Sequence, residues 1–475
     1  MNSVRVRFAP SPTGFVHIGS LRTALYNYLY AKKHNGTFVL RIEDTDRSRY
    51  VEGAVDNLLS TLAWCGLSCD EGPEKEGHNA PYYQSQRLDL YTKYCEQLLK
   101  DNYAYPCFCS EERLEEMRKR QMKNKLPLKY DGLCRTIRPE EALKRAEQEK
   151  HVIRMKVPTD GKTVVKDIIR GDTVFQNFQV DDQVLIKSDG YPTYHLANVV
   201  DDHLMQITHV IRGEEWLPST PKHILLYRYL GWETPVFAHL PLLLNPDRSK
   251  LSKRQGDVSV EDFRAQGYLP EALINFVALL GWNRGDDQEI FSIDELIESF
   301  TLERINKSGA IFNREKLDWM NGVHIRQIPQ QQYFAYASPF KPDPMDDAAF
   351  QSIALTVRER IVTLSELRDK ASTYAGETIE HYSEDAQEWI LKPESKKVYQ
   401  AFLDHVQDYD SVTLDSFRTL MGQVQKSSGI KGKELWMPVR AALTGLTEGP
   451  ELPSVIEILG KEKIINFIKQ ALSLQ

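Results

Sequence analysis

Three residues near the start of the chain have the types and spacing of an anion-binding turn. His17, Gly19 and Ser20 follow a Pro-Ser-Pro-Thr-Gly segment. The segment 4–8 before them alternates apolar and basic residues, which predicts a half-buried strand. An apolar stripe with helical spacing comes next: Leu21, Ala24, Leu25, Tyr28 and Leu29. A strand, a tight loop and a helix N-terminus favour binding of an anion such as phosphate beside the imidazole. The alternative is an ordinary strand-to-helix connection with a surface histidine.

Acidic residues follow the next predicted strand. Thr37–Ile42 reads TFVLRI and precedes Glu-Asp-Thr-Asp at 43–46. The helix between the strands should end near Asn35, so that strand, helix and strand form one unit of a parallel sheet. Ligands bind beyond the carboxyl ends of such strands, where the histidine and acidic segments both lie. Carboxylates there suit an amino group, a ribose hydroxyl or a metal. The alternative is that Asp44 or Asp46 caps the following helix.

The composition is that of an ordinary globular protein. Its 475 residues are 41% hydrophobic and 27% charged, and the length suggests about three domains. No apolar run approaches the ~18–20 residues that span a bilayer, and the early first strand leaves no room for a signal peptide, so we expect a cytoplasmic protein without membrane association. Six cysteines, all in the first third, are too few for a disulfide framework. The net charge of −7 does not indicate nucleic-acid binding, although a local basic surface would permit it.

The middle of the chain contains further strand patterns with polar residues at their ends. Segment 140–175 predicts short strands and turns, and Gln183–Lys187 and Thr208–Arg212 predict two more strands. Thr220 and Pro221 predict the N-cap and first position of a helix.

The last third is mostly helical in pattern. A helix should begin at Leu269–Pro270 and end at Gly281. The polar segment 329–347, rich in proline and aspartate, is typical of a linker. Amphipathic helical patterns predominate beyond it, and no strand-rich region is predicted there.

Four segments together resemble the class I aminoacyl-tRNA synthetases of the glutamyl type, in their bacterial form. They are FAPSPTG at 8–14, HIGS at 17–20, RIEDTD at 41–46 and KLSKR at 250–254. HIGS and KLSKR correspond to the HIGH and KMSKS signatures of that class, with Ser20 in place of the second histidine. The resemblance implies an α/β fold with a Rossmann-like catalytic domain.

The resemblance also implies a domain organisation. Residues 1–104 and 181–325 would form the catalytic domain, the second part including the stem region that bears KLSKR. Residues 105–180 would form an inserted subdomain for the tRNA acceptor end, of the zinc type. Residues 326–475 would form an α-helical anticodon-binding domain, whereas glutaminyl and eukaryotic glutamyl enzymes carry β-barrels there.

Position by position, the resemblance assigns the site residues. Those expected to bind glutamate are Arg7, Ala9, Ser11, Glu43, Tyr194 and Arg212. Those expected to bind ATP are His17, Gly19, Ser20, Glu215, Leu243, Ser252 and Lys253. The catalytic residues would be His17, Lys250 and Lys253. An acidic substrate needs a cationic partner, which Arg7 or Arg212 would supply, Arg212 through a bidentate pair. Considered without the resemblance, Arg212 would be expected to form a surface salt bridge and Tyr194 to be an aromatic residue of the core.

A zinc site is also implied by the resemblance. Cys107 and Cys109 form a Cys-x-Cys pair, and Tyr130 and Cys134 follow in YDGLC. Three thiolates and one further ligand complete a tetrahedral structural zinc site. Some relatives end the motif in Cys-x-His, but Thr136 occupies that position here, so Tyr130 would be the fourth ligand. The alternative is a metal-free insertion with three free thiols.

The implied reaction has two steps. The α-carboxylate of L-glutamate attacks the α-phosphate of ATP, which Mg²⁺ accompanies, and the glutamyl group then passes to the terminal ribose of tRNA(Glu). Positioning and stabilisation of phosphate charge are the main tasks of the protein. Arginine at the position of Arg360 is associated with reading the last anticodon base and rejecting tRNA(Gln); the alternative is an arginine on a helix surface. The family is usually monomeric.

Two other functions are the alternatives, and the C-terminal region argues against the first. A glutamyl-Q-tRNA(Asp) synthetase has a similar catalytic half but normally lacks the anticodon domain, whereas about 150 residues follow residue 325 here. A non-catalytic tRNA-binding relative would be expected to have lost His17, Lys253 or the pocket arginines, all of which are present.

Overall fold

Strands and helices alternate in the first part of the chain, and helices predominate in the last. The computed structural model describes residues 3–251, 259–343, 345–449 and 451–475. The strands are β1 (Arg5–Phe8), β2 (Thr37–Leu40), β3 (Ala104–Cys107), β4 (Val152–Met155), β5 (Lys162–Val165), β6 (Thr173–Gln176), β7 (Val184–Ile186), β8 (His209–Gly213), β9 (Val236–Leu240), β10 (Leu243–Leu244) and β11 (Ala310–Ile311).

The helices are numbered in the same way. The first ten are α1 (Ile18–Lys33), α2 (Ala54–Trp64), α3 (Leu88–Lys100), α4 (Glu111–Lys123), α5 (Pro139–Ala146), α6 (Tyr194–Leu204), α7 (Thr220–Tyr229), α8 (Val260–Ala265), α9 (Pro270–Ala278) and α10 (Ile293–Ser299). They are followed by α11 (Arg314–Gln327), α12 (Gln330–Ala337), α13 (Asp347–Val357), α14 (Glu366–Ala375), α15 (Glu384–Ile390), α16 (Pro393–Val406), α17 (Leu414–Ser428), α18 (Lys433–Thr444) and α19 (Leu452–Ser473).

Two pairs of parallel strands, β1-β2 and β8-β9, form the framework of the site. β1 pairs with β2 and β8 with β9, both in parallel, with Arg212 opposite His239 in the second pair. The backbone N–H of Thr208 donates to the carbonyl of Arg5 at 2.9 Å and joins β8 to β1. Helix α1 crosses from β1 to β2 with Leu21, Leu25 and other apolar residues buried. The predicted Rossmann-like arrangement is therefore confirmed.

The prediction of a half-buried β1 is wrong. Val6 and Phe8 are buried as expected, but the side chain of Arg7 on the opposite face is also buried. Asp202 of helix α6 contacts that face, where it forms an ion pair with Arg7. A strand inside a parallel sheet is covered on both faces, so the alternation of residue types did not indicate solvent exposure.

A segment with antiparallel strands, residues 104–186, separates the two parts of the parallel sheet in sequence. β3, β4 and β7 form an antiparallel sheet, and β5 pairs with β6. Its small core contains Tyr105, Cys107, Met117, Tyr130 and Cys134. The short strands predicted between 140 and 175 are thus present, together with helix α5.

The chain divides into two compact units. The first comprises Met1–Asp262 and Leu273–Asn313, and the second comprises Phe263–Ala272 and Arg314–Gln475. The described residues from 314 to the C-terminus contain no strand, and helices α11–α19 bury one large apolar core. Within α19 the helix breaks at Gly460, whose φ of 69° is left-handed. No helix in the described ranges has the length and hydropathy to span a bilayer.

Two predictions about where helices begin differ from the structure. Thr220 and Pro221 are the first two residues of α7, and Ser219 is its N-cap, because a 3₁₀ turn (Glu214–Ser219) runs directly into the helix. The segment interpreted as a linker contains α12, with Pro329 as its N-cap. A proline there lacks only a backbone N–H that would have no helical partner, so it begins the helix rather than interrupting it.

Candidate functional site

An open cleft lies at the carboxyl ends of β1, β2 and β8. Its volume is about 580 Å³, within the range of ligand-binding sites. The predicted glutamate and ATP residues of the described chain all line it: Arg7, Ala9, Ser11, His17, Gly19, Ser20, Glu43, Tyr194, Arg212, Glu215 and Leu243. Lys250 lines it as well, whereas Ser252 and Lys253 lie outside the described residues. Residues separated by more than 200 positions in sequence thus share one cavity.

His17 forms the N-terminus of α1. Its Nδ1 accepts a hydrogen bond from the backbone N–H of Ser20 at 3.2 Å, so that the imidazole is the N-cap. The Ser20 hydroxyl lies 3.1 Å from the other ring nitrogen, Nε2. A Cβ on Gly19 would lie 3.0 Å from the His17 ring. Glycine at this position therefore leaves space for the imidazole. The helix N-terminus and the imidazole therefore form one polar surface beside the cleft.

Asp202 is the centre of a buried ion-pair cluster behind the cleft. Its Oδ1 accepts from Arg7 Nε at 3.0 Å and from Arg41 Nη1 at 2.7 Å. Arg41 Nη2 also donates to Glu43 at 3.1 Å. A neighbouring carboxylate, Asp201, accepts from Arg87 Nε at 2.7 Å. Three arginines and three carboxylates balance in charge here, and this balance allows all six side chains to be buried.

Glu43 is the acidic residue of this cluster that reaches the cleft. Burial is the largest influence on its pKa and raises it to about 6, although Arg41 and Arg7 act in the opposite direction. The other acidic residues of the segment have local roles. Asp44 accepts from the backbone N–H of Ser85 at 2.8 Å, and neither aspartate caps helix α2, whose N-cap is Gly53. The predicted alternative of a helix cap at α2 is therefore wrong.

Arg212 has a different environment from Arg7. It is buried, and its guanidinium donates to Tyr194 Oη (2.9 Å), Thr220 Oγ1 (3.0 Å), His239 Nε2 (3.2 Å) and His223 Nδ1 (3.1 Å). These partners are uncharged, because burial lowers the pKa of His239 to about 4 and that of His223 well below its usual value. Arg212 therefore keeps its full positive charge for a ligand in the cleft.

The hydrogen bonds of Arg212 restrict how it can hold an anion. Nε and Nη2 are used by the protein, and Nη1, which donates to Tyr194, keeps one N–H among the described residues. A bidentate pair through Nε and Nη2 does not fit this arrangement. The O–H of Tyr194 is the natural second donor, because its oxygen already accepts from Arg212.

Several residues of the cleft were not assigned from the sequence. The indole of Trp216 packs on the Tyr194 ring with 4.0 Å between centroids. Arg22 on α1 lines the cleft and donates to the carbonyls of Leu280 (3.1 Å) and Pro241. The sequence offered one sign of a role for Arg22: it is a charged residue directly next to Leu21 of the apolar stripe.

Three thiols and a phenol form a second cluster, in the segment with antiparallel strands. The Sγ atoms of Cys107, Cys109 and Cys134 lie within 4.8 Å of one another. Tyr130 Oη is 3.5 Å from Cys107 Sγ and 3.4 Å from Cys109 Sγ, and the Cys109 and Cys134 sulfurs are 3.6 Å apart. Ligands around a tetrahedral zinc with Zn–S bonds of about 2.3 Å lie roughly 3.5–3.8 Å apart, so this donor set fits Zn²⁺.

Two arginines face this thiol cluster. Arg154 Nε donates to Cys107 Sγ at 3.3 Å, and Arg113 Nη1 donates to Cys109 Sγ at 3.4 Å. Contacts with Cys134, Tyr130 and Arg154 lower the pKa of the Cys107 thiol to about 4, with Cys134 the largest contributor. Both guanidinium groups would offset the negative charge that four anionic ligands bring to one metal ion.

The second unit contains a cavity at the predicted anticodon residue, and three basic residues and one acidic residue, Glu448, line it. Arg360 is exposed in the turn after α13 and lines a cavity of about 630 Å³ together with Lys370, Tyr374 and Arg440. The position is therefore not on a helix surface. Burial, and then the charge of Arg360, lower the pKa of Arg440. Clustered cations of this kind suit a polyanion such as RNA.

Comparisons with known proteins agree with this geometry. Residues 3–319 match the family described as tRNA synthetases class I (E and Q), catalytic domain, and residues 331–472 match an anticodon binding domain. The chain is 46% identical over 493 residues to the glutamate–tRNA ligase of Finegoldia magna, with complete coverage of both proteins. The glutamate–tRNA ligase of Clostridioides difficile is 45% identical, with 98% of each covered.

Solved structures of glutamate–tRNA ligases are also similar to this chain. A glutamate tRNA ligase from Elizabethkingia meningosepticum, in complex with its amino acid, superposes with a TM-score of 0.89 at 38% identity, covering 99% of each chain. A glutamate-tRNA synthetase from Elizabethkingia anophelis has a TM-score of 0.88 at 37% identity, with 99% of this chain covered.

Proposed function

The chain belongs to the class I tRNA synthetases of the glutamate and glutamine group, and we propose that it activates L-glutamate with ATP and transfers it to tRNA(Glu). The observation that carries this proposal is the buried charge of Arg212 at the cleft, surrounded by uncharged partners. Among the described residues Arg212 has no carboxylate partner, and a buried cation in that state strongly favours an acidic over a neutral ligand.

We assign the two ends of glutamate to different sides of the cleft. Arg212 Nη1 and the Tyr194 hydroxyl would hold the side-chain carboxylate, and Arg7, Ala9 and Ser11 would line the same pocket. The carboxylate of Glu43 would accept from the α-ammonium group. The α-carboxylate must stay free to attack phosphorus, so a buried cation suits the side-chain carboxylate better.

ATP would occupy the side of the cleft formed by the N-terminus of α1. The helix N-terminus, His17 and Ser20 would contact the phosphates, with Gly19 leaving room, while Leu243 and Glu215 would contact the adenosine. Lys250 lines the same cleft, and Lys253 follows it in KLSKR. We assign both lysines to the developing negative charge on the α-phosphate and leaving pyrophosphate. Mg²⁺ would enter with the ATP phosphates and partly neutralise them.

The inserted subdomain would bind one zinc ion through Cys107, Cys109, Tyr130 and Cys134. The cluster has four donors and two flanking arginines, which favours a closed structural site without an open position for a substrate. A bound zinc ion would crosslink the segments that carry these residues. It would take no part in the proposed catalytic steps.

The helical second unit would bind the tRNA anticodon. We assign reading of the last anticodon base to Arg360, whose cavity also contains Lys370 and Arg440. The anticodon-domain match at 331–472 argues against a glutamyl-Q-tRNA(Asp) synthetase. A monomeric state and a cytoplasmic location complete the proposal.

Side-by-side aminoacylation tests this function. Purified protein is given ATP, Mg²⁺ and glutamate with tRNA(Glu) or tRNA(Gln), and ATP–pyrophosphate exchange is measured with tRNA present. We expect charging of tRNA(Glu) with glutamate, and weak or no charging of tRNA(Gln). Absence of both glutamate-dependent exchange and charging would show a non-catalytic tRNA-binding relative.

A further inference from the structure

We infer that Asp167 and His239 are positioning residues for Arg212: they hold its guanidinium toward the cleft and thereby set the affinity for the acidic side chain of the substrate. This inference rests on the proposed function, in which Arg212 binds the side-chain carboxylate of glutamate. Neither residue lines the cleft, so both would act through Arg212 rather than by touching substrate.

Hydrogen bonds link Asp167 to His239 and His239 to Arg212. His239 on β9 lies opposite Arg212 on β8. Its Nδ1 is 2.6 Å from Asp167 Oδ2, and its Nε2 is 3.2 Å from Arg212 Nε. The side chains of both His239 and Asp167 are fully buried. Arg212 Nε always carries a hydrogen, so Nε2 must accept, and Nδ1 must donate to Asp167.

Asp167 is itself held firmly. Its Oδ1 accepts from the backbone N–H groups of Ile169 (2.9 Å) and Arg170 (2.8 Å), and Oδ2 also accepts from the backbone N–H of His239 (3.1 Å). Burial opposes ionisation, but these bonds and His239 leave the pKa of Asp167 below its usual value. The ionised carboxylate therefore accepts on both oxygens, which fixes the Nδ1–H tautomer of His239.

An uncharged imidazole is the acceptor this position needs. A carboxylate beside Arg212 would neutralise the charge that the substrate requires, and an imidazolium would repel the guanidinium. Burial lowers the pKa of His239 to about 4, so the ring is neutral near pH 7. His223 accepts from Nη2 on the other side, and its own Nε2 lies 3.0 Å from His195 Nδ1. Two neutral histidines thus orient the cation without reducing its charge.

Replacing Asp167 by Asn breaks this arrangement in a defined way. The new amide NH₂ group must face either two backbone N–H groups or the His239 side. On the His239 side it favours the opposite tautomer, in which Nε2 carries a hydrogen and faces Arg212 Nε–H. Because two donors then oppose each other, Arg212 is displaced, and a displacement of about 1 Å can reduce a rate by roughly 100-fold.

A set of three variants tests the inference in the full-length enzyme. Asp167→Asn and His239→Asn both remove the acceptor for Arg212, whereas His239→Gln can place its amide oxygen where Nε2 was. We expect the first two to raise KM for glutamate about 10-fold or more, with little change in KM for ATP, and to reduce the preference for glutamate over glutamine in kcat/KM. His239→Gln should restore most of that preference. Thermal unfolding of each variant is measured in parallel.

The outcomes separate this inference from the proposed function. Unchanged KM for glutamate in folded Asp167→Asn and His239→Asn would overturn the positioning role while the wild-type activity stands. So would equal rises in KM for glutamate and ATP accompanied by a lower midpoint of thermal unfolding, since that pattern indicates a purely structural role. A wild-type enzyme without glutamate-dependent exchange or charging would overturn the proposed function, and this inference with it.

Discussion

The carboxylate of Asp202 on α6 accepts a hydrogen bond from Nε of Arg7 on β1 at 3.0 Å, and both side chains are almost completely buried. The contact joins residues 195 positions apart. It connects the helix that begins with Tyr194 to the strand that leads into the His17 loop. Because Arg41 pairs with the same oxygen of Asp202 and with Glu43, one carboxylate holds both arginines on the predicted glutamate side of the cleft.

Asp202→Asn should therefore affect both stability and glutamate binding. Removing one partner of a buried ion-pair cluster leaves uncompensated charge, and we expect the free energy of unfolding to fall by about 3 kcal/mol. KM for glutamate should rise because Arg7 and Glu43 lose their fixed orientation. Denaturant unfolding and ATP–pyrophosphate exchange measure the two effects. Glu149→Gln, which removes the exposed partner of Arg145, is the control and should behave like wild type in both assays.

Glutamate binding should weaken as the pH falls through about 6. Glu43 has its pKa raised to about 6 by burial, and only its ionised form offers a negative charge to the ammonium group of the substrate. KM for glutamate, measured between about pH 5 and pH 8, should rise toward acid while KM for ATP stays level. Glu43→Gln should show a high KM without this inflection. A wild-type KM independent of pH across the range would contradict the role of Glu43.

The raised pKa of Glu43 also determines how this residue contributes to the stability of the fold at different pH values. Folded Glu43 holds its proton more tightly than the unfolded chain, whose glutamate pKa is 4.5. The contribution of this group to stability is therefore complete below pH 4.5 and is lost as the pH rises through about 6. Substrate binding favours the ionised form of Glu43, whereas folding favours the protonated form. The pH at which Glu43 supports activity is therefore the pH at which it contributes least to the stability of the fold.

Local patterns predicted the elements that position the site. The apolar stripe from Leu21 predicted α1, and the β-branched segment before Gly213 predicted β8. The motifs at 8–14, 17–20 and 41–46 predicted the family, which the matches over the whole chain confirm. These features succeed because each is determined by residues close together in sequence.

Tertiary contacts were the part that the sequence did not reveal. The burial of Arg7 depends on Asp202, and the orientation of Arg212 depends on Asp167 and His239, 45 and 27 residues away from it. Isolated aspartates and histidines have no periodic pattern that would indicate such partners. Helix α12 was missed for a different reason: its QQQYFAYA sequence is short and follows a proline.

Zinc binding should depend on Tyr130 as well as on the three thiols. Cys109→Ser should abolish the metal, because it removes a ligand, and Tyr130→Phe should weaken binding because only the phenol oxygen is lost. Elemental analysis of protein purified without chelators should give one zinc per wild-type chain. Cys69→Ser is the control, since this cysteine lies outside the cluster. Absence of zinc from wild-type protein would overturn the site, and full retention in Tyr130→Phe would exclude the phenol as ligand.

Lys253→Ala should slow adenylate formation far more than it weakens glutamate binding. The lysine follows Lys250, which lines the cleft, and a cation there would act mainly on charge that develops on the phosphates. We expect pyrophosphate exchange, measured with tRNA present, to fall about 10²–10³-fold. Lys162→Ala, on the exposed side of β5, serves as control. Exchange near the wild-type rate in Lys253→Ala would refute the assignment.

Arg360→Gln should change which tRNA is charged without changing glutamate activation. Arg360 is exposed and lines a cavity with Lys370 and Arg440, far in sequence from the cleft residues. If its guanidinium reads the last anticodon base, the substitution should cost about 1–3 kcal/mol in kcat/KM for tRNA(Glu) and reduce discrimination against tRNA(Gln). KM for glutamate should stay unchanged. Arg418→Gln removes an exposed arginine from α17 and controls for a general loss of positive charge. Equal losses in the two variants, with tRNA(Gln) still rejected, would mean that Arg360 contributes only non-specific attraction to RNA.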